Sequence, residues 1–174
     1  MLAGCGGQQR RDADVPGATY TVAVERASFP REQRLAQRNV LVMSVRNAGR
    51  RAIPNLAVTV RGFTTRSGGS RQADLGRDLW IIDRGPQRAR TAAEDTWTAG
   101  RLEPDATATL RWDVTPVVAG RHRLTYAVAP ALTGPARAEL ATGGEARGSL
   151  TVRVSDEPAR SRVDPASGEV RRQE

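Results

Sequence analysis

The chain has 174 residues and 18.8 kDa, enough for one domain with a proper core and too short for two comfortable ones. All 27 basic residues are arginine, against 19 acidic ones, for a net charge of +8; with no lysine, Schiff-base chemistry, a P-loop and a Ser-Lys dyad are excluded. One cysteine excludes an intrachain disulfide, and no apolar run approaches the ~18 residues that span a bilayer.

The chain opens MLAGCGGQQ. Leu2-Ala3-Gly4-Cys5 resembles, position by position, the lipobox that ends a bacterial lipoprotein signal peptide. The resemblance implies cleavage after the small residues and a diacylglycerol thioether on the Cys5 sulfur. Residues 1–5 are then the remnant of a signal peptide, whose charged n-region and apolar stretch of about 7–15 residues would precede Met1. Residues 6–18, including GGQQRRDADVPGA, are polar and Gly-rich and suit a flexible tether. Two or three acyl chains give stable attachment to a membrane, here on its extracytoplasmic face.

Beyond Pro16-Gly17, strict alternation begins, with Tyr20, Val22 and Val24 on one face of a strand. FPREQRLAQRN reads as a polar connection with a helical turn. NVLVMSVRNAG is a strand with Leu41, Met43 and Val45 inward, closed by an Asn-Ala-Gly turn. Pro54 interrupts, and NLAVTVRGF follows with Leu56, Val58 and Val60 inward. The middle, residues 64 to 101, is less regular. TTRSGGSRQADLGRD is expected to be a loop, DLWIID a short apolar strand, PQRARTAAED another loop, and DTWTAG a short edge strand or loop.

Order returns with Ala108, Leu110, Trp112 and Val114 on one strand face, a corner at Val118-Ala119-Gly120, and His122, Leu124, Tyr126 and Val128 on the next. TGPARAELATGGEARG is loop-like with a weak extended piece. SLTVRVS closes the domain with Leu150, Val152 and Val154 inward. Residues 156–174 lack periodicity and read as a disordered tail.

These elements predict an all-β protein, an immunoglobulin-like β-sandwich of about seven strands over residues 19–155. Gly120-Arg121-His122-Arg123-Leu124 matches the spacing of the Gly-x-Tyr-x-Cys pattern of such sandwiches, with His122 at the tyrosine position and Leu124 at the cysteine position. The phrases VLVMSVRNAGRRAIPNLAVTV and LEPDATATLRWDVTPVVAGRHRLTYAV resemble the CARDB type of bacterial Ig-like domain. That family carries Gly where this chain has Asp105, at a turn that Asp tolerates. The resemblance implies a secreted or surface module with an adhesion, spacer or assembly role.

Candidate sites are few. His122 is the sole histidine and sits without a nucleophile motif, so a corner histidine bonded to backbone is expected rather than a triad member. One His, one Cys and scattered carboxylates give no metal-ligand spacing, and no cofactor or enzymatic activity is expected. Trp112 belongs to the core. Trp80 and Trp97 either pack the sandwich edge, the favoured role, or form a binding patch with Arg77, Arg84, Arg88 and Arg90.

Residues 31–90 hold 13 Arg against 4 acidic residues. A GC-rich coding bias accounts for arginine replacing lysine throughout; a polyanion-binding surface is the functional alternative. Nucleic acid is disfavoured, since aromatics are 4% and no RRM, KH or zinc signature occurs. The expected function is a lipid-anchored extracytoplasmic module with a binding, adhesion or structural role. Its partners would be the membrane through Cys5, anionic headgroups or cell-wall polymers, or a protein. The alternative is a soluble basic β-sandwich that binds a polyanion.

Overall fold

The computed structural model describes residues 12, 15, 17–65, 77–158, 161–163, 167 and 170–172. The expected lipobox with Cys5, most of the tether and the Gly/Ser-rich stretch 66–76 lie outside the described residues. The described residues are all-β and form two main sheets. One runs β12 (Arg137–Leu140), β1 (Thr19–Ser28), β3 (Asn39–Asn47), β10 (Thr107–Pro116), β7 (Trp80–Arg84). The other runs β2 (Glu32–Leu35), β13 (Arg147–Pro158), β11 (Gly120–Ala129), β4 (Ile53–Arg61), β9 (Thr96–Leu102), β8 (Arg90–Ala93). Two small ribbons complete the set: β5 (Thr64–Thr65) with β6 (Arg77–Asp78), and β14 (Ser161–Val163) with β15 (Val170–Arg172).

The period-two rows become the sandwich filling, because alternate side chains of a strand point to one face. Tyr20, Val22, Leu41, Met43, Val45, Leu110, Trp112 and Val114 bury from one sheet. Leu56, Val58, Val60, Leu124, Val128, Val152 and Val154 bury from the other, all in one apolar cluster. Pro54 does not interrupt β4 but lies inside it. Register against β9 shifts between Ile53 and Leu56, and the β11 ladder reaches only to Ala57, so no ladder donor is demanded of the proline.

Three segments differ from their sequence reading, and a fourth, the weak extended piece, follows it. PREQRL holds no helical turn; β2 lies parallel to the end of β13, with Gln33 buried. A polar side chain is tolerated there because both ends of the amide are bonded: Gln33 Nε2 donates to Pro30 O at 3.0 Å, and Gln33 Oε1 accepts from Trp80 Nε1 at 2.9 Å. DTWTAG is neither loop nor edge, since β9 pairs with β4 on one side and with β8, drawn from the expected loop PQRARTAAED, on the other. The weak extended piece is β12, parallel to β1. Past residue 155, β13 continues to Pro158, and Ser161–Val163 pair antiparallel with Val170–Arg172.

Side chains also tie the ends of the sandwich. Asn47 is fully buried and uses its whole amide: Nδ2 donates to Arg51 O (2.8 Å) and Leu102 O (3.0 Å), and Oδ1 accepts from Gly49 N (3.0 Å). It thereby joins the β3–β4 turn to the β9–β10 turn. In the latter, Asp105 adopts φ 60°, a left-handed conformation that glycine or Asp tolerates. Ahead of β1, the Asp12 carboxylate accepts from Asn55 Nδ2 at 2.7 Å and from Leu132 N at 3.0 Å.

Replacing Asn47 with Ala removes three hydrogen bonds at a buried junction and leaves carbonyls unpaired. The expected loss is about 2–4 kcal/mol, read as a lower urea midpoint at unchanged m-value. A shift below about 0.5 kcal/mol would show that the two turns hold without it.

Candidate functional site

All five Phe and Trp rings of the chain are buried and form one connected series. Phe29 meets Trp80 at 5.8 Å, Trp80 meets Phe63 at 6.5 Å, Phe63 meets Trp97 at 6.5 Å, and Trp97 meets Trp112 at 5.2 Å. Trp80 and Trp97 therefore present no open ring face to a partner. Trp112 Nε1 has no hydrogen-bond acceptor. Its ring crosses Trp97 at 80°, the arrangement in which an edge hydrogen faces a π-cloud.

His122 packs on Trp80 with ring centroids 5.2 Å apart, and its Nε2 lies 2.9 Å from Val118 O. A carbonyl only accepts, so Nε2 carries the proton. This is the backbone-bonded corner histidine that its spacing predicts.

The arginines named from the sequence are exposed but scattered. Arg77 sits on the β5–β6 ribbon, and Arg90 stands on β8 opposite Thr98. Arg84 and Arg88 share a hollow of about 330 Å³ with Gln87, Thr109, Arg111 and Asp113. Arg84 lies opposite Asp113 in register, and Asp113 also meets Arg111 Nε at 3.4 Å. The structure thus brings together Arg84 and Arg88 and separates the remaining four residues from them.

A different surface carries the charge. Solvent-facing positions of the six-stranded sheet hold Arg34 on β2, Arg147 and Arg153 on β13, Arg121 and Arg123 on β11, Arg61 on β4 and Arg90 on β8. Arg121 stands directly opposite Arg153, and Arg61 directly opposite Thr125, two residues along from Arg123. Arg147 is engaged by Glu145 at 2.7 Å and Arg34 by Glu157 at 3.2 Å. Among the described residues Arg61, Arg121, Arg123 and Arg153 make no ion pair, although Glu32 lies beside Arg153 in register.

Two hollows lie along this face and share Ser149. One of about 780 Å³ is lined by Arg31, Glu32, Arg121, Thr151 and Arg153, among others. The other, of about 520 Å³, is lined by Thr59, Arg61, Arg123, Thr125 and Arg147, among others.

The opposite face carries several ion pairs. On it Arg46 bonds Glu25 at 2.8 Å and Asp105 at 3.2 Å, and Arg38 lies 3.8 Å from Asp83. The sequence signal for the arginine face was the polar parity of RHRLTYA and RGSLTVRV, where arginine, serine and threonine alternate with the core residues. Among the described residues no cluster of three or more His, Cys, Asp or Glu could hold a metal ion, and no helix is long and apolar enough to cross a membrane.

No family model matches the chain, and no curated protein matches it. Among solved structures it is similar to native alpha-2-macroglobulin from Escherichia coli, with a TM-score of 0.50 and 13% identity over 88% of this chain and 21% of that one. It is also similar to the CARDB domain of the PF1109 protein from Pyrococcus furiosus, with a TM-score of 0.45 and 15% identity over 79% of this chain and 86% of that domain. A cohesin module from a Clostridium perfringens glycoside hydrolase gives a TM-score of 0.46 at 10% identity, over 79% of this chain and 98% of the module.

Truncation should separate the two kinds of residue. Trp80→Ala and Trp97→Ala are each expected to cost about 3–5 kcal/mol of stability through the cavity left in the core. Arg84→Ala and Arg88→Ala should each move stability by less than about 0.5 kcal/mol in the same denaturant titration. Equal effects from the two groups would contradict the placement of the tryptophans in the core.

Proposed function

We propose that the chain is a membrane-anchored extracytoplasmic lipoprotein, in which lipid on Cys5 carries an Ig-like β-sandwich with a binding, adhesion or structural role. What supports the reading is one juxtaposition: LAGC at positions 2–5 stands a short polar stretch ahead of a sandwich that starts at Thr19.

In this reading the module is non-catalytic. Its single imidazole is held between the Val118 carbonyl and the Trp80 ring, so the group best suited to proton transfer near neutral pH is spent on the corner. The sheet faces remain as working surfaces. The arginine face also favours a second reading, a soluble β-sandwich that binds a polyanion, and the two readings differ at the N-terminus.

Mass spectrometry of protein from its native cells distinguishes them. The expected product starts at Cys5, lacks Met1–Gly4 and carries acyl chains on the sulfur. Cys5→Ser should move the protein from the membrane fraction to the soluble one. A product with Met1 intact and an unmodified Cys5 thiol would overturn the anchor and leave the soluble reading.

A further inference from the structure

We propose that the solvent-facing side of the six-stranded sheet binds an acidic polysaccharide. The proposal takes the domain to be a binding module. It is independent of the lipid on Cys5, so failure of either leaves the other standing.

Charge comes first. Arg153, Arg121, Arg123 and Arg61 make a band across three neighbouring strands, β13, β11 and β4. Arg153 and Arg121 are one strand spacing of about 4.8 Å apart, Arg121 and Arg123 a two-residue step of about 7 Å, and Arg123 and Arg61 a diagonal of about 8 Å. Like charges in direct cross-strand register destabilise a sheet, and Arg121 opposite Arg153 is such a pair. Carboxylates meet Arg34 and Arg147 at the margins of this face and Arg46, Arg111 and Arg38 on the other sheet, but none meets the four arginines of the band among the described residues. Four guanidinium groups on one face, without an ion pair among the described residues, are complementary to a ligand that brings several anions at once.

Hydroxyls then narrow the chemistry. Thr59, Thr125, Ser149 and Thr151 lie between the arginines and line the same two hollows, and Arg123 Nη2 donates to Ser149 Oγ at 3.0 Å. A hydroxyl both donates and accepts. Such a lattice suits a polymer that offers sugar hydroxyls as well as anions. Single-stranded nucleic acid is bound by stacking bases on open aromatic rings, and none is offered on this face. Phe29 is buried, and Tyr126 is half-buried in the space over Gly148. The exposed large apolar side chains among the described residues, Ile81, Ile82 and Val117, belong to the edge of the other sheet or the segment just beyond it, so this face has no apolar anchor for insertion into a bilayer.

The test uses the full-length chain and polygalacturonate at about 50 mM salt, where contacts to a polyanion are strong. Two charge-removing pairs on the face, Arg121→Ser/Arg153→Ser and Arg61→Ser/Arg123→Ser, should each weaken binding by about tenfold or more. A control pair from the opposite sheet, Arg26→Ser/Arg137→Ser, removes the same charge and should change binding less than about twofold.

Wild-type protein supplies a second readout that needs no variant to fold. Bound polygalacturonate should protect Arg121 and Arg153 from phenylglyoxal more than Arg26 and Arg137, as read by peptide mass spectrometry. The proposal is overturned if the control pair loses as much as the face pairs, or if protection is uniform. It is overturned equally if duplex DNA or phosphatidylglycerol vesicles bind about tenfold tighter than polygalacturonate, or if polygalacturonate does not bind.

Discussion

The edge-to-face contact of aromatic rings across the gap between the sheets is what the rest of the molecule depends on. Trp80 and Trp112 come from one sheet and Trp97 from the other; Phe29, just past β1, starts the series, and Phe63, just past β4, bridges Trp80 and Trp97. Each such pair adds about 0.5–1.5 kcal/mol beyond the apolar area it removes from water. In a sandwich without a disulfide this is the local cross-link between layers. It also explains details that look separate: Gln33 is buried because Trp80 needs an acceptor, and His122 fills the corner because Trp80 offers it a ring. Gly62, at φ 107°, lets the chain pass the Arg123 carbonyl so that Phe63 can turn inward.

With the rings spent on cohesion, the two outer faces are left with polar side chains and differ in how the charges are disposed. One is laced by exposed ion pairs, each worth at most about 1 kcal/mol and easily screened. The other pairs Arg34 and Arg147 with carboxylates, but among the described residues Arg61, Arg121, Arg123 and Arg153 make no ion pair, and hydroxyls lie between them. The net charge of +8 is therefore not a uniform coat.

Most of the fold was legible because a half-buried strand writes its burial as alternation. Leu41-Met43-Val45 and Leu110-Trp112-Val114 could be read as core rows directly. What escaped was set by partners distant in sequence. Gln33 reads as polar surface until Trp80, 47 residues away, is placed against it. Thr96 and Thr98 look like loop residues until Thr59 and Ala57 stand opposite them. The named patch drew on arginines near tryptophans in sequence, yet alternation buries the rings and sends the charges to different sheets. The arginine face was written in the residues between the core positions of β11 and β13. One strand's polar row says little until its neighbours bring theirs alongside.

The hold on Asp12 has a geometric consequence. Its carboxylate fixes the incoming chain to Asn55 and to the backbone at Leu132, both at the end of the sandwich where β4 begins and β11 finishes. Only seven residue steps then separate that point from Cys5, a contour of about 25 Å at full extension. A domain leashed by its sulfur at that length would stand over the bilayer on one end, within a domain's width of the headgroups. It would search a shell around its anchor rather than a volume, and meet polymers threaded close to the membrane before those farther out.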